Sequence, residues 1–182
     1  MKKLFVIIIS LMVISSCTTT KESRSSRAQQ RKEKKLTDQA QIKIAVESKR
    51  YIIKFDRVYS SSGGRVELIP KANFLIVDRD RAVLSTAYMG RQYDIKPIAA
   101  INIHGRALNY TVMDNTSKGS YEISMKVNNG GPNTFSVNIS ISRDGSCSAT
   151  VSSVKIDIVR YAGYLVPIID KANSSSQPGN PI

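Results

Sequence analysis

The chain has 182 residues, 41% of them hydrophobic, which suits one globular domain and excludes a membrane-embedded bundle. Its formal charge is +13. With one His and two Cys it lacks the clustered donors of a zinc or haem site, so no metal and no cofactor is expected.

Met1-Lys2-Lys3 is a short basic start, and Leu4 to Ile14 is an apolar run too short to span a bilayer at about 1.5 Å per residue. Ile14-Ser15-Ser16-Cys17 closes that run as a lipobox does: an aliphatic residue, two small ones, then the thiol that carries the acyl group. Residues 1–16 are therefore expected to be a lipoprotein signal, and Cys17 the lipidated first residue of the mature chain. Thr18 stands where an Asp would favour inner-membrane retention, and no acidic cluster follows. The expected address is the periplasmic face of the outer membrane, with the lipid on Cys17 as the membrane partner.

Residues 17–30 are rich in Thr, Ser, Arg and Gln without apolar periodicity, and read as a flexible tether. From about residue 30 to 48 the spacing predicts one amphipathic helix. Leu36, Ala40 and Ile44 form its apolar stripe, Ile42 and Val46 a neighbouring pair, and the stripe is expected to lie on the body. Residues 21–50 hold ten Lys/Arg against four Asp/Glu, more than half of the mature excess of positive charge. Beside a lipid anchor that block would meet an anionic leaflet. No stacking aromatics accompany it, so no nucleic-acid partner is expected.

After Arg50 the apolar period becomes two. Strands are predicted at Tyr51 to Asp56, Val66 to Ile69, Phe74 to Val77, Ala82 to Ala87, Ile98 to Ile103, Ala107 to Met113, Tyr121 to Val127, Phe135 to Ile141, Ala149 to Val154 and Asp157 to Val166. Asp78-Arg79-Asp80-Arg81 reads as a solvated turn whose charges compensate one another, and Asp144-Gly145 as a tight hairpin. Residues 171–182, rich in Ser, Pro, Gly and Asn, read as a disordered tail. The expected architecture is mostly β: an antiparallel β-sandwich or flattened barrel of about nine strands, spanning 31–170 as one domain, with one N-terminal amphipathic helix packed against it.

Catalytic constellations are missing from this pattern. His104 sits at a strand end, no serine lies in a Gly-x-Ser-x-Gly elbow, and Ser62-Gly63-Gly64 lacks the Lys and helix of a phosphate loop. Cys147, left without a partner once Cys17 is acylated, reads as a small buried side chain. No catalytic residue is assigned, and no enzyme activity is expected. One segment stands apart: Tyr88-Met89-Gly90-Arg91-Gln92-Tyr93. Tyr88, Arg91 and Tyr93 around Gly90 form a candidate recognition loop, since Tyr and Arg combine area with polar tips. The competing reading is a structural loop, its Tyr rings over the end of the core and Gly90 at positive φ.

That segment resembles the Tyr-x-Gly-Arg-x-Tyr signature of the Bacteroidetes lipoproteins gathered as domain of unknown function family 4251. Further similarities follow in order: the helix-to-strand junction at 46–51, Ile101-Asn102-Ile103, Tyr121-Glu122-Ile123, Asn133-Thr134-Phe135, Asp144-Gly145-Ser146-Cys147-Ser148, and the closing Tyr161-Ala162-Gly163-Tyr164. The resemblance covers about residues 40–168. It implies an exported, β-rich lipoprotein and no known activity. Two functions are carried forward: a non-enzymatic binding or scaffolding module whose partner is a protein or a cell-envelope glycan, and a carrier of a small apolar ligand inside a β-barrel.

Overall fold

Helix α1 runs Thr19–Glu47 in the structure, a computed structural model that describes residues 19–60, 64–90, 100–115, 117–128, 130–131 and 133–169, with side chains from Arg27 onward. The chain divides into two units, Met1–Thr37 and Asp38–Ile182. The first holds the N-terminal part of α1. Its helix starts at Thr19, well before the expected position, so residues 19–30 of the expected tether are helical. Arg, Gln, Lys, Glu and Ala are strong helix formers whether or not their pattern is amphipathic.

The second unit holds the rest of α1 and nine strands: β1 Arg50–Tyr59, β2 Arg65–Glu67, β3 Phe74–Asp78, β4 Arg81–Ala87, β5 Ala100–Asn115, β6 Ser120–Asn128, β7 Thr134–Ser142, β8 Ser146–Ser153 and β9 Ile156–Pro167. Every described pairing is antiparallel, in the order β2-β1-β3-β4-β5-β6-β7-β8-β9, and β1 also pairs with β9. That last pairing closes eight strands into an up-and-down barrel. β2 is the ninth, laid beside Arg57–Tyr59 where β1 has run past β3. The architecture is thus a barrel rather than a sandwich.

Two strands bend the sheet into that shape. β5 was expected as two strands, split at His104-Gly105-Arg106, but is one strand of 16 residues. Its first part, Ala100–Arg106, pairs with β4, and its second, Arg106–Asn115, with β6. Only Arg106 is paired on both sides. Just beyond it the register slips between Leu108 and Thr111, and Asn109 takes φ 53°. A bulge of this kind turns a barrel corner. In β1 a second slip, between Phe55 and Arg57, moves the inward phase from Tyr51, Ile53 and Phe55 to Val58.

The interior is filled by side chains. Tyr51, Phe55, Ile53, Leu75, Leu84, Ile123, Met125, Ile139, Ile141 and Tyr161 are all under 2% exposed. Phe55 and Tyr161 stack tilted at 5.0 Å between centroids. Tyr161 Oη donates to Ala87 O at 3.0 Å, so the ring is tied at its polar tip as well as buried.

The helix docks by a different face from the one expected. Ile42, Ala45 and Val46 are buried, whereas Leu36 is 57% and Ile44 63% exposed. Within the second unit Ala40 and Ile44 of the stripe of spacing four are exposed, and the last turns dock through the neighbouring pair and Ala45. Tyr110 Oη donates to Val46 O at 3.4 Å and lies 3.1 Å from Tyr51 Oη. The helix ends with Lys49 at φ 56°, a left-handed cap, and Lys49 O then accepts from Arg79 N at 2.8 Å.

The turn at Asp78–Arg81 also differs from expectation. Its carboxylates reach across strands instead of to their neighbours: Asp78 pairs with Arg50 at 3.3 Å and Asp80 with Arg106 at 3.6 Å. A two-residue β-turn points successive side chains apart, which leaves those carboxylates to arginines on β1 and β5. Asp144-Gly145 forms the expected hairpin, with Gly145 at φ 86° and Ser146 N donating to Asp144 Oδ1 at 3.0 Å.

Candidate functional site

The outward face of β1 is mostly charged, but Ile52 on it is apolar and only half-buried. Arg50–Lys54 and Phe74–Val77 contain unbroken apolar stretches, so both faces of β1 and β3 carry large side chains there. In register, Ile52 sits opposite Ile76 on β3 and Val166 on β9, and Lys54 opposite Phe74 and Tyr164. Ile52, Lys54, Phe74, Ile76 and Tyr164 line a groove of about 640 Å³ on the outside of the barrel, completed by Pro70 and Lys71. That size lies within the range of pockets that take small ligands, about 300–1,000 Å³.

The groove's rim is held by Asn73. Its Oδ1 accepts from Ala87 N at 2.8 Å and Thr86 Oγ1 at 3.4 Å, and its Nδ2 donates to Ile69 O at 3.0 Å. Ala72 N and Asn73 N both donate back to Ile69 O, and Phe55 N donates to Asn73 O at 2.9 Å. The turn that presents Pro70 and Lys71 is therefore pinned to β1 and β4 by a buried amide. The groove mixes apolar side chains with two ammonium groups. Among the described residues neither Lys54 nor Lys71 has a carboxylate partner, and the nearby Asp56 is taken by Arg57 at 2.8 Å.

The residues singled out from the sequence are placed elsewhere. Tyr88 is only 7% exposed and belongs to the core. Gly90 has no positive φ. A Cβ there would lie 2.5 Å from Tyr88 Oη and 2.8 Å from Val159 Cγ2, so a larger residue would have to displace those side-chain ends. Cys17, Arg91 and Tyr93 lie outside the described residues, and so do the signal segment 1–16 and the tail 171–182. Cys147 is buried in β8, and burial pushes its thiol up to about 12, which makes it a poor nucleophile at neutral pH. His104 is exposed on β5 opposite Val83. Among the described residues no three His, Cys, Asp or Glu converge as a metal site would require.

Sequence reasoning missed the groove because its lining comes from β1, β3, β9 and one turn, more than a hundred residues apart along the chain. The usable signal was local: apolar residues at both phases of β1 and β3, which a half-solvated strand does not need.

Comparison with known proteins agrees with this barrel. The model of the domain of unknown function DUF4251 matches residues 33–165. The chain belongs to the DUF4251 family. A crystal structure of a DUF4251 family protein from Bacteroides eggerthii DSM 20697 superposes with a TM-score of 0.60 at 13% identity, over 72% of this chain and 88% of that one. At that identity the likeness concerns the fold alone. No curated protein matches the chain. Within this DUF4251 domain the two glycines of the recognised motifs, Gly90 and Gly163, are both sites of close approach. Tyr164, which follows Gly163 directly, lines the groove.

Proposed function

We propose that this protein is a lipid-anchored, non-enzymatic binding or scaffolding module of the cell envelope, which meets its partner on the outer wall of the barrel. One observation carries the reading: the interior is filled by buried rings and aliphatic side chains, while the wall at β1, β3 and β9 leaves an open groove lined by Lys54 and Lys71. The lipobox ending at Cys17 supports the anchor, and the basic segment 21–50 supports a position close to an anionic leaflet. The other reading, an apolar ligand carried inside the barrel, has no room where Tyr51, Phe55 and Tyr161 fill the space.

The test is made in the native envelope. A photo-crosslinking residue at Phe74 should add mass to the chain, whether from a macromolecule or a small ligand, and the same probe at Asn138 on β7 should not. Wild type should fractionate with membranes, and Cys17→Ala should appear in the soluble periplasmic fraction or stay unprocessed. Equal adducts at both positions would remove the groove from the reading. Full processing of Cys17→Ala with unchanged membrane fractionation would remove the anchor.

A further inference from the structure

We infer that the outer-wall groove is a binding site for aliphatic carboxylates, the chain lying on Ile52, Phe74 and Ile76 and the head meeting Lys54 and Lys71. The inference rests on the reading that this wall is the binding surface, and it names what the surface holds.

The argument starts from Lys54. It stands on β1, flanked in register by Phe74 on one side and Tyr164 on the other, and is only partly exposed. Its apolar stem stands between two aromatic residues, and its ammonium lines the groove. An anion placed beside it gains a charge-assisted contact. Lys71 brings a second ammonium from a turn whose backbone Asn73 pins in place, so both lysines are rooted beside the apolar floor. Among the described residues no Asp or Glu lines the groove. A neutral apolar molecule would leave both lysines unpaired, and a small inorganic anion would leave the apolar floor wet. Only a ligand with an apolar body and an anionic end satisfies both halves.

An acyl chain fits the shape better than a macromolecular segment. The lining spans three adjacent strands, β9, β1 and β3, about 10 Å from the first to the last. It is bounded by the Pro70-Lys71 turn, so it is a short trough and not a long strip. Extended peptides recognised by sheets pair with a strand edge, and here β1 has partners on both sides.

The test uses titration calorimetry on the full chain carrying Cys17→Ala, which needs no detergent. Dodecanoate, dodecanol, dodecyltrimethylammonium and acetate are compared below their aggregation concentrations. Dodecanoate should bind saturably, decanoate several-fold more weakly, and the other three at least about tenfold more weakly. Lys54→Gln with Lys71→Gln should weaken dodecanoate about tenfold or more while leaving the melting temperature unchanged, since both side chains are at the surface. Phe74→Ser should weaken every chain-bearing ligand alike. Equal binding of dodecanol and dodecanoate, or no change in the double variant, overturns the inference. If dodecanoate fails to bind but the Phe74 probe still gains mass in the envelope, the acid is wrong and the groove stands. If both fail, both readings fall.

Discussion

Gly163→Ala is expected to cost about 4 kcal/mol or more, enough to leave little folded protein. Gly163 faces Phe55 across the seam where β9 closes on β1. A Cβ built at position 163 overlaps Lys54 O, and it falls 2.8 Å from Lys54 C and 2.9 Å from Phe55 Cα. These atoms are backbone, fixed by the ladder on both sides, so no rotamer change relieves them. The seam is tight because Asp56 is the extra residue of the β1 bulge, which bends β1 toward β9 at that point. Urea unfolding followed by circular dichroism measures the effect. Gly130→Ala is the control: Gly130 has φ 87° but nothing within 4 Å of an added Cβ, so only about 1 kcal/mol of backbone strain is expected. Equal losses in the two variants would refute the account of the seam.

The second large effect is alkaline destabilisation. Burial raises the thiol of Cys147 from 9.0 to about 12, with Asp56 contributing in the same direction. Burial likewise raises the phenols of Tyr51 and Tyr161 well above their ordinary 10.0. Each group stays protonated in the folded chain at a pH where the unfolded chain releases the proton. The stability that these neutral groups contribute is therefore complete below about pH 9. It declines as the pH rises through the unfolded values, until the folded groups themselves ionise. Each group alone would lower stability by about 1 kcal/mol per pH unit within its window. The urea midpoint should thus be flat from pH 7 to 8.5 and fall steeply by pH 11. In Cys147→Ala the onset should move up toward pH 10, where the tyrosines begin. A midpoint that stays level to pH 11 would contradict the burial of these groups.

Much of the barrel could be read from alternation. Phe135, Val137, Ile139 and Ile141 point inward or toward the core as their period of two requires, and Asp144-Gly145 turns where its sequence says. The closure of β1 on β9 could not be read, because a pairing between residues 51–59 and 160–167 leaves no local trace. The corner in β5 was misread as a break, since His104-Gly105-Arg106 interrupts the apolar pattern just where the strand changes partners. The helix face was misjudged for a related reason. Leu36, Ala40 and Ile44 make a regular stripe, but docking on a barrel end needs only the last turns, and Ile42, Ala45 and Val46 meet it. The two tyrosine-glycine motifs were visible at once. Their role was not, because close approach and ligand recognition select the same residues. The groove is the reverse case: its lysines and isoleucines are ordinary in sequence and acquire meaning only when three strands align them.

The central claim is that ligands meet the outside of a filled barrel, and isoleucine methyl resonances report on it directly. During titration with dodecanoate, the methyl signals of Ile52 and Ile76, which line the groove, should shift. Those of Ile53, Ile123, Ile139 and Ile141, buried in the interior, should remain in place. Shifts led by the interior methyls, with Ile52 and Ile76 unmoved, would contradict the account and place the ligand inside the barrel.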